Sequence, residues 1–320
     1  MTSKSYDDAV SEALDRLRNI GYEHGRSFVN HAPMAAEALA CMGHADDVPA
    51  WVEQNLRTRS YHDVPQTRWL LSAENADDWT SALGDFSRVA DWSAMFEREL
   101  ALAPWTEVLA RWWPRLLPGM SGALTHGVIR TAHAVRALAP AADDPLKRAE
   151  LAHGLGYWAA RYSAPRPGGP AGPAGEEPAG GAGALAALDE LVAESAGFFA
   201  RTRPDFPIPL IHAVTAPAAV RLACEHLPQE LHRQSYLTAA ETSATIQSWF
   251  GNKQGTPVSP GEALAGPRSE AELIATAIEL GDEHAIKLVE VAVRHNALAP
   301  DARYAAAADV ALGRLTRFLS

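Results

Sequence analysis

Cysteine is nearly absent from this chain: Cys41 and Cys224 are the two among 320 residues. With no CxxC pair, neither a disulfide framework nor a clustered thiolate metal site has the residues it needs. Each cysteine sits in an apolar helical pattern and is expected to be a buried free thiol in a reducing cytosol. Basic charge is scarce too. Lys and Arg total 28 against 39 Asp and Glu, a net of −11. No basic run occurs, so neither nucleic acid nor an anionic membrane surface is an expected partner. Long apolar runs are missing: no stretch approaches the roughly 20 apolar residues of a membrane-spanning helix. The opening MTSKSYDDAVSEALDRL lacks the apolar centre of a signal peptide, and a cytoplasmic location is expected. The common catalytic signatures (GxGxxG after a strand, P-loop, GxSxG, HExxH) are absent as well. Alternating β-branched runs are few, and prolines argue against the nearest one, FPIPLIHAV.

What the sequence does have is helical periodicity. Ala9, Ala13, Leu14 and Leu17 recur on one face of residues 7–18, and the good helix formers Ala, Leu, Glu and Arg fill the periodic segments. The pattern predicts helices near 6–19, 33–43, 47–57, 87–112, 119–138, 145–162, 184–200, 210–225, 228–249, 269–280, 282–296 and 301–318. Pro33, Asp282 and Pro300-Asp301 stand at helix starts, and Gly119 after Pro118 breaks the chain between two long helices. The expected fold class is all-α: a single multi-helix domain over 1–320, an irregular helical array or bundle. Within it, APRPGGPAGPAGEEPAGGAG at 164–183 is too poor in side chains to bury a face and is expected to be a flexible Gly/Pro-rich loop.

The informative residues are histidines. His31, in SFVNHAPM, precedes an apolar helix. It reads as a cap or core residue, or as a ligand whose ring Asn30 orients. His126, Arg130 and His133 fall at i, i+4 and i+7 of an otherwise apolar helix and share one stripe. Two imidazoles and a guanidinium on a buried face are costly without partners. The stripe is therefore a buried polar network or a face for a ligand or substrate. His212 lies in the apolar run PLIHAVT, where a satisfied core histidine is the plain reading. In GDEHAIKL, His284 and Lys287 share a helix side, and Ile286, Leu288 and Val289 surround the lysine. A desolvated, neutral lysine can react with carbon dioxide to give a carbamate, an oxygen ligand; a solvated helix face is the alternative. His24, His44, His62, His226, His232 and His295 read as surface residues, and His153 as structural.

Taken together, NHAPMAAEAL, LLPGMSGALTHGVIRTAHAVRAL, IHAVTAPAAVRL and GDEHAIKL resemble, in order and spacing, successive blocks of the questin oxidase-like family. The resemblance spans almost the whole chain. It implies a non-haem Fe(II) oxygenase of secondary metabolism that cleaves or oxygenates an anthraquinone-like aromatic polyketide with dioxygen, with NADPH as reductant if one is needed. It implies His31, His126, His212 and His284 as metal ligands, with Lys287 as the carboxylated lysine. The family tends to carry a second histidine one turn after the residue at 126. Here that position is Arg130, and His133 follows three residues later. On this reading Arg130 stabilises a phenolate or oxyanion and His133 moves a proton. Trp112, Trp113, Trp158 and Trp249 are either aromatic walls or core. The alternatives are a metal-free, NADPH-dependent Baeyer–Villiger-type monooxygenase, a metal hydrolase with a carbamylated lysine, and a non-catalytic helical protein that binds an aromatic ligand.

Overall fold

A computed structural model describes residues 3–164, 180–202, 206–251 and 268–319. Among them fourteen α-helices make up nearly all of the regular structure, and the one sheet is an antiparallel pair, β1 (Glu23–His24) with β2 (Phe28–Val29). The chain is all-α, as its periodicity predicts. No helix among the described residues is long and apolar enough to cross a membrane. Contacts gather the chain into two compact units: Met1–Pro167 with Glu225–Pro228, and Gly168–Cys224 with Gln229–Ser320.

The first unit holds α1 (Tyr6–Leu17), α2 (Ala32–Cys41), α3 (Val48–Thr58), α4 (Ala76–Ala82), α5 (Val89–Leu102), α6 (Trp105–Leu116), α7 (His126–Leu138) and α8 (Pro145–Ala160). Ser5 starts α1 by accepting the backbone N–H of Asp8, and Asp144 does the same for α8 ahead of Pro145. Helix α8 packs on α5 and α7, while α2 packs on α1, α3 and α7. Residues 32–40 of α2 are all buried, and one of them, Glu37, is a carboxylate.

Three expectations in this unit need correction, and one helix was not expected. The single helix at 87–112 is two, because Pro104 excludes the helical region for Ala103, which is extended at φ −140° and ψ 158°. Helix α4 has a polar sequence with no apolar period, and its start is set by the Asn75 cap. The helix expected from 119 begins only at His126, since Ala123, Leu124 and Thr125 have positive φ. Cys41, the last residue of α2, is exposed rather than buried.

The second unit holds α9 (Gly180–Arg201), α10 (Ile208–Cys224), α11 (His232–Gly251), α12 (Glu270–Leu280), α13 (Glu283–Leu298) and α14 (Ala302–Leu319). Helix α10 is its centre, buried along most of its length and packed by α9, α11 and α13. A reciprocal Ser269–Glu272 capping box starts α12. Gly281, at φ 68°, ends α12, and Asp282 starts α13 at once by accepting the N–H groups of His284 and Ala285.

Of the predicted loop at 164–183, residues 180–183 are helical, and 165–179 lie outside the described residues. His232 and His295 are buried, not on the surface. Burial, helped by neighbouring Arg294, pushes the His295 imidazole down to about 3.

Candidate metal centre

In the first unit, His31 is the N-cap residue of α2, but its ring makes no capping bond. Asn30 does that work: its Oδ1 accepts the N–H of Ala32 at 3.0 Å, and its Nδ2 donates to the carbonyl of Gly21. The side chain expected to orient His31 is therefore committed to the backbone. His126 opens α7. Its Nε2 lies 2.7 Å from Nε2 of His31, with the rings edge to face at 4.6 Å. Both rings are buried.

In the second unit, His212 projects from α10 and His284 from the first turn of α13, with ring centroids 5.5 Å apart. Asp282 Oδ1 is 3.7 Å from His284 Nδ1 while capping the helix. One turn further on, the Lys287 amine is fully buried and has no hydrogen-bond partner among the described residues. Burial pushes it down to about 8, with Glu283 and Asp282 resisting.

Each unit brings two of the four histidines together, His31 with His126 and His212 with His284, and all four are buried. Asp282, Glu283 and His284 form a buried group that could hold a metal ion. Three of the four histidines stand at helix starts: His31 before α2, His126 in α7 and His284 in α13. There the aligned N–H groups of the first turn make the local potential positive. The same local fields oppose a cation, so such a site needs an anionic donor. Lys287 as a carbamate, or the acidic pair beside it, has that charge.

Arg130 and His133 are occupied elsewhere. Arg130 forms a two-pronged pair with Glu150, at 2.6 and 2.8 Å, with its guanidinium over the ring of Tyr22. His133 Nδ1 is 2.6 Å from Glu37 Oε2, and Arg136 and the hydroxyl of Tyr6 also donate to Glu37. Burial pushes both carboxyls up, but the neighbouring cations and hydrogen bonds outweigh it and hold each at about 2. The stripe is thus a buried polar network below His126, one of the two readings the spacing left open. Its carboxylates went unread in the sequence. Glu37 had a signal, as the one charge in the apolar helix APMAAEALAC.

Trp112 is core, packed edge-on by Trp79, Trp92 and Phe96, and Trp158 and Trp113 pack on each other in the core. Trp249 is exposed. No family model matches the sequence, and no curated protein does.

Proposed function

We propose that this chain is a metal-dependent oxygenase in which His31, His126, His212, His284 and the carbamate of Lys287 hold one non-haem Fe(II) ion. The observation that carries this reading is the pairing of buried histidines within each unit, His31 with His126 and His212 with His284, with the unpartnered Lys287 amine one turn beyond His284. Burying imidazoles in pairs away from water has a desolvation cost that a bound cation offsets.

The donors fit such an ion. Imidazole suits iron, copper and zinc, and an oxygen donor beside it favours iron in oxygen chemistry. Lys287 supports the set from its own side: as an ammonium it is buried without a hydrogen-bond partner and repels a cation. As a carbamate it is an anionic oxygen donor and balances the helix starts. When bound, Fe(II) supplies the one-electron chemistry that lets dioxygen react with a closed-shell aromatic ring.

The chain's own residues do the rest. Asp282 fixes the first turn that carries His284. His133, held against Glu37, keeps a proton on Nδ1. Arg130, neutralised by Glu150, holds α7 to α8 rather than waiting for an oxyanion. The substrate class, an anthraquinone-like aromatic polyketide, rests on the four sequence blocks that resemble the questin oxidase-like family. Dioxygen as co-substrate, NADPH as a reductant where one is needed, and a cytoplasmic location belong to the same reading.

The test is metal content by mass spectrometry of protein purified without oxygen and with bicarbonate, followed by oxygen uptake with a hydroxyanthraquinone. Near-stoichiometric iron that falls in His126→Ala and Lys287→Ala, with substrate-dependent oxygen uptake, supports the proposal. Bound metal with hydrolysis and no oxygen uptake replaces it with a metal hydrolase. No metal after iron reconstitution ends it and leaves the NADPH-dependent or binding readings.

A further inference from the structure

We propose that the left-handed run Ala123–Leu124–Thr125 is a positioning element that fixes the ring proton of His126 on Nδ1 and presents its Nε2 as a bare donor. The proposal deepens the metal-site reading and rests on it for its purpose, though not for its geometry. The three φ values are 45°, 52° and 66°. Residues other than glycine enter this region singly and rarely, since Cβ crowds the following carbonyl, and three in succession persist only where their surroundings hold them there.

The surroundings are visible on both flanks. A Cβ on Gly122 would lie 1.7 Å from the carbonyl oxygen of Arg161, and one on Gly127 would lie 2.6 Å from Cα and Cβ of Trp158. Only glycine fits at either place, so the segment is pressed onto the end of α8 before and after the run. Inside it, the Thr125 hydroxyl donates to the carbonyl of Leu124 at 2.6 Å.

The consequence falls on the next residue. The run turns the Ala123 carbonyl back onto His126, where it contacts Nδ1. A carbonyl only accepts, so Nδ1 carries the hydrogen. Nε2 of His126 is therefore the lone-pair nitrogen, and it faces Nε2 of His31 at 2.7 Å. In the metal-free chain His31 must be the donor of that contact. The two ligands are unequal: His126 is preset, whereas His31 has to move its proton to Nδ1 before its Nε2 can bind.

The test is nitrogen-15 NMR of the histidine rings in the metal-free full chain, compared with cobalt(II) affinity, for wild type, Leu124→Gly and Leu124→Ile. Glycine takes a positive φ freely, whereas a β-branched side chain resists it. His126 is expected to be protonated on Nδ1 in wild type and in Leu124→Gly, with similar affinities. Folded Leu124→Ile should show a mixture of tautomers and bind cobalt(II) roughly tenfold more weakly or worse. A wild-type His126 protonated on Nε2, or a folded Leu124→Ile with wild-type tautomer and affinity, overturns the proposal. If Leu124→Ile does not fold, the wild-type tautomer decides. A wild type that binds no cobalt(II) while keeping Nδ1–H removes the metal reading and leaves the positioning contact standing.

Discussion

Ser243 on α11 donates its hydroxyl to the carbonyl of Ala213 on α10, across 3.1 Å. Pro217 stands four residues after Ala213 inside α10 and has no N–H to give that carbonyl. Ser243 replaces the missing donor one residue from His212, so the helix that carries the histidine stays satisfied where proline would open it. Ser243→Ala is expected to cost about 1–3 kcal/mol, the price of a buried unsatisfied carbonyl. In a Pro217→Ala background, where the helical bond returns, it should cost less. A double-mutant cycle by denaturant unfolding checks this, and equal costs in both backgrounds would show that the hydroxyl does not stand in for the amide.

Glu37 gathers Tyr6, His133 and Arg136 and thereby ties α2 to α7, the helices that begin at His31 and His126. Removing the carboxylate takes the counter-charge from the half-buried Arg136 guanidinium and a hydrogen-bond partner from the buried His133 ring. Glu37→Ala should lose about 3–5 kcal/mol of stability and, by loosening the pairing of α2 with α7, weaken metal binding. Thermal unfolding with metal titration tests both effects. Unchanged affinity in a folded variant would limit Glu37 to a structural role.

The pH dependence follows from Glu37 and Glu150, each held near 2 against an ordinary value of 4.5. Folded-state values below the unfolded ones mean that the unfolded chain binds more protons between them. Their contribution is therefore complete above about pH 4.5 and is lost as pH falls toward 2, each group carrying on the order of 3 kcal/mol. Unfolding free energy measured across this range should fall steeply in wild type and less steeply in Glu150→Gln. Parallel slopes would contradict the assignment for Glu150.

Lys287 is expected to set function against stability. Its buried amine is costly in the metal-free protein. Lys287→Met keeps the volume and removes the polar group, so it should unfold at a higher temperature than wild type when both are metal-free, while binding little metal. Calorimetry beside metal analysis reads the two effects. A destabilised variant would mean that the amine already has a stabilising role in the metal-free fold.

Much of the architecture could be read along the chain. The helical period, the Pro33 and Asp282 starts and the end of α12 at Gly281 are local signals, because capping and backbone preference act within a turn or so of the residue concerned. The break at Ala103 was also local, since proline restricts the residue before it, but it was hidden under a continuous apolar period. The start of α7 was not local: Ala123–Thr125 have no sequence preference for positive φ and are bent by contacts with the end of α8, some 35 residues later.

The site divides in the same way. Reading along the chain was enough to mark the residues out of place, namely imidazoles and a lysine in apolar helices, because burying a polar group has a cost wherever it occurs. What each one meets depends on how the helices pack. His126 and Arg130 share a stripe of α7, yet one faces His31 and the other Glu150. Asn30 adjoins His31 but serves the backbone. A side chain's partner comes from whichever helix packs against it, and that choice is made by the burial of whole faces, which no local spacing encodes.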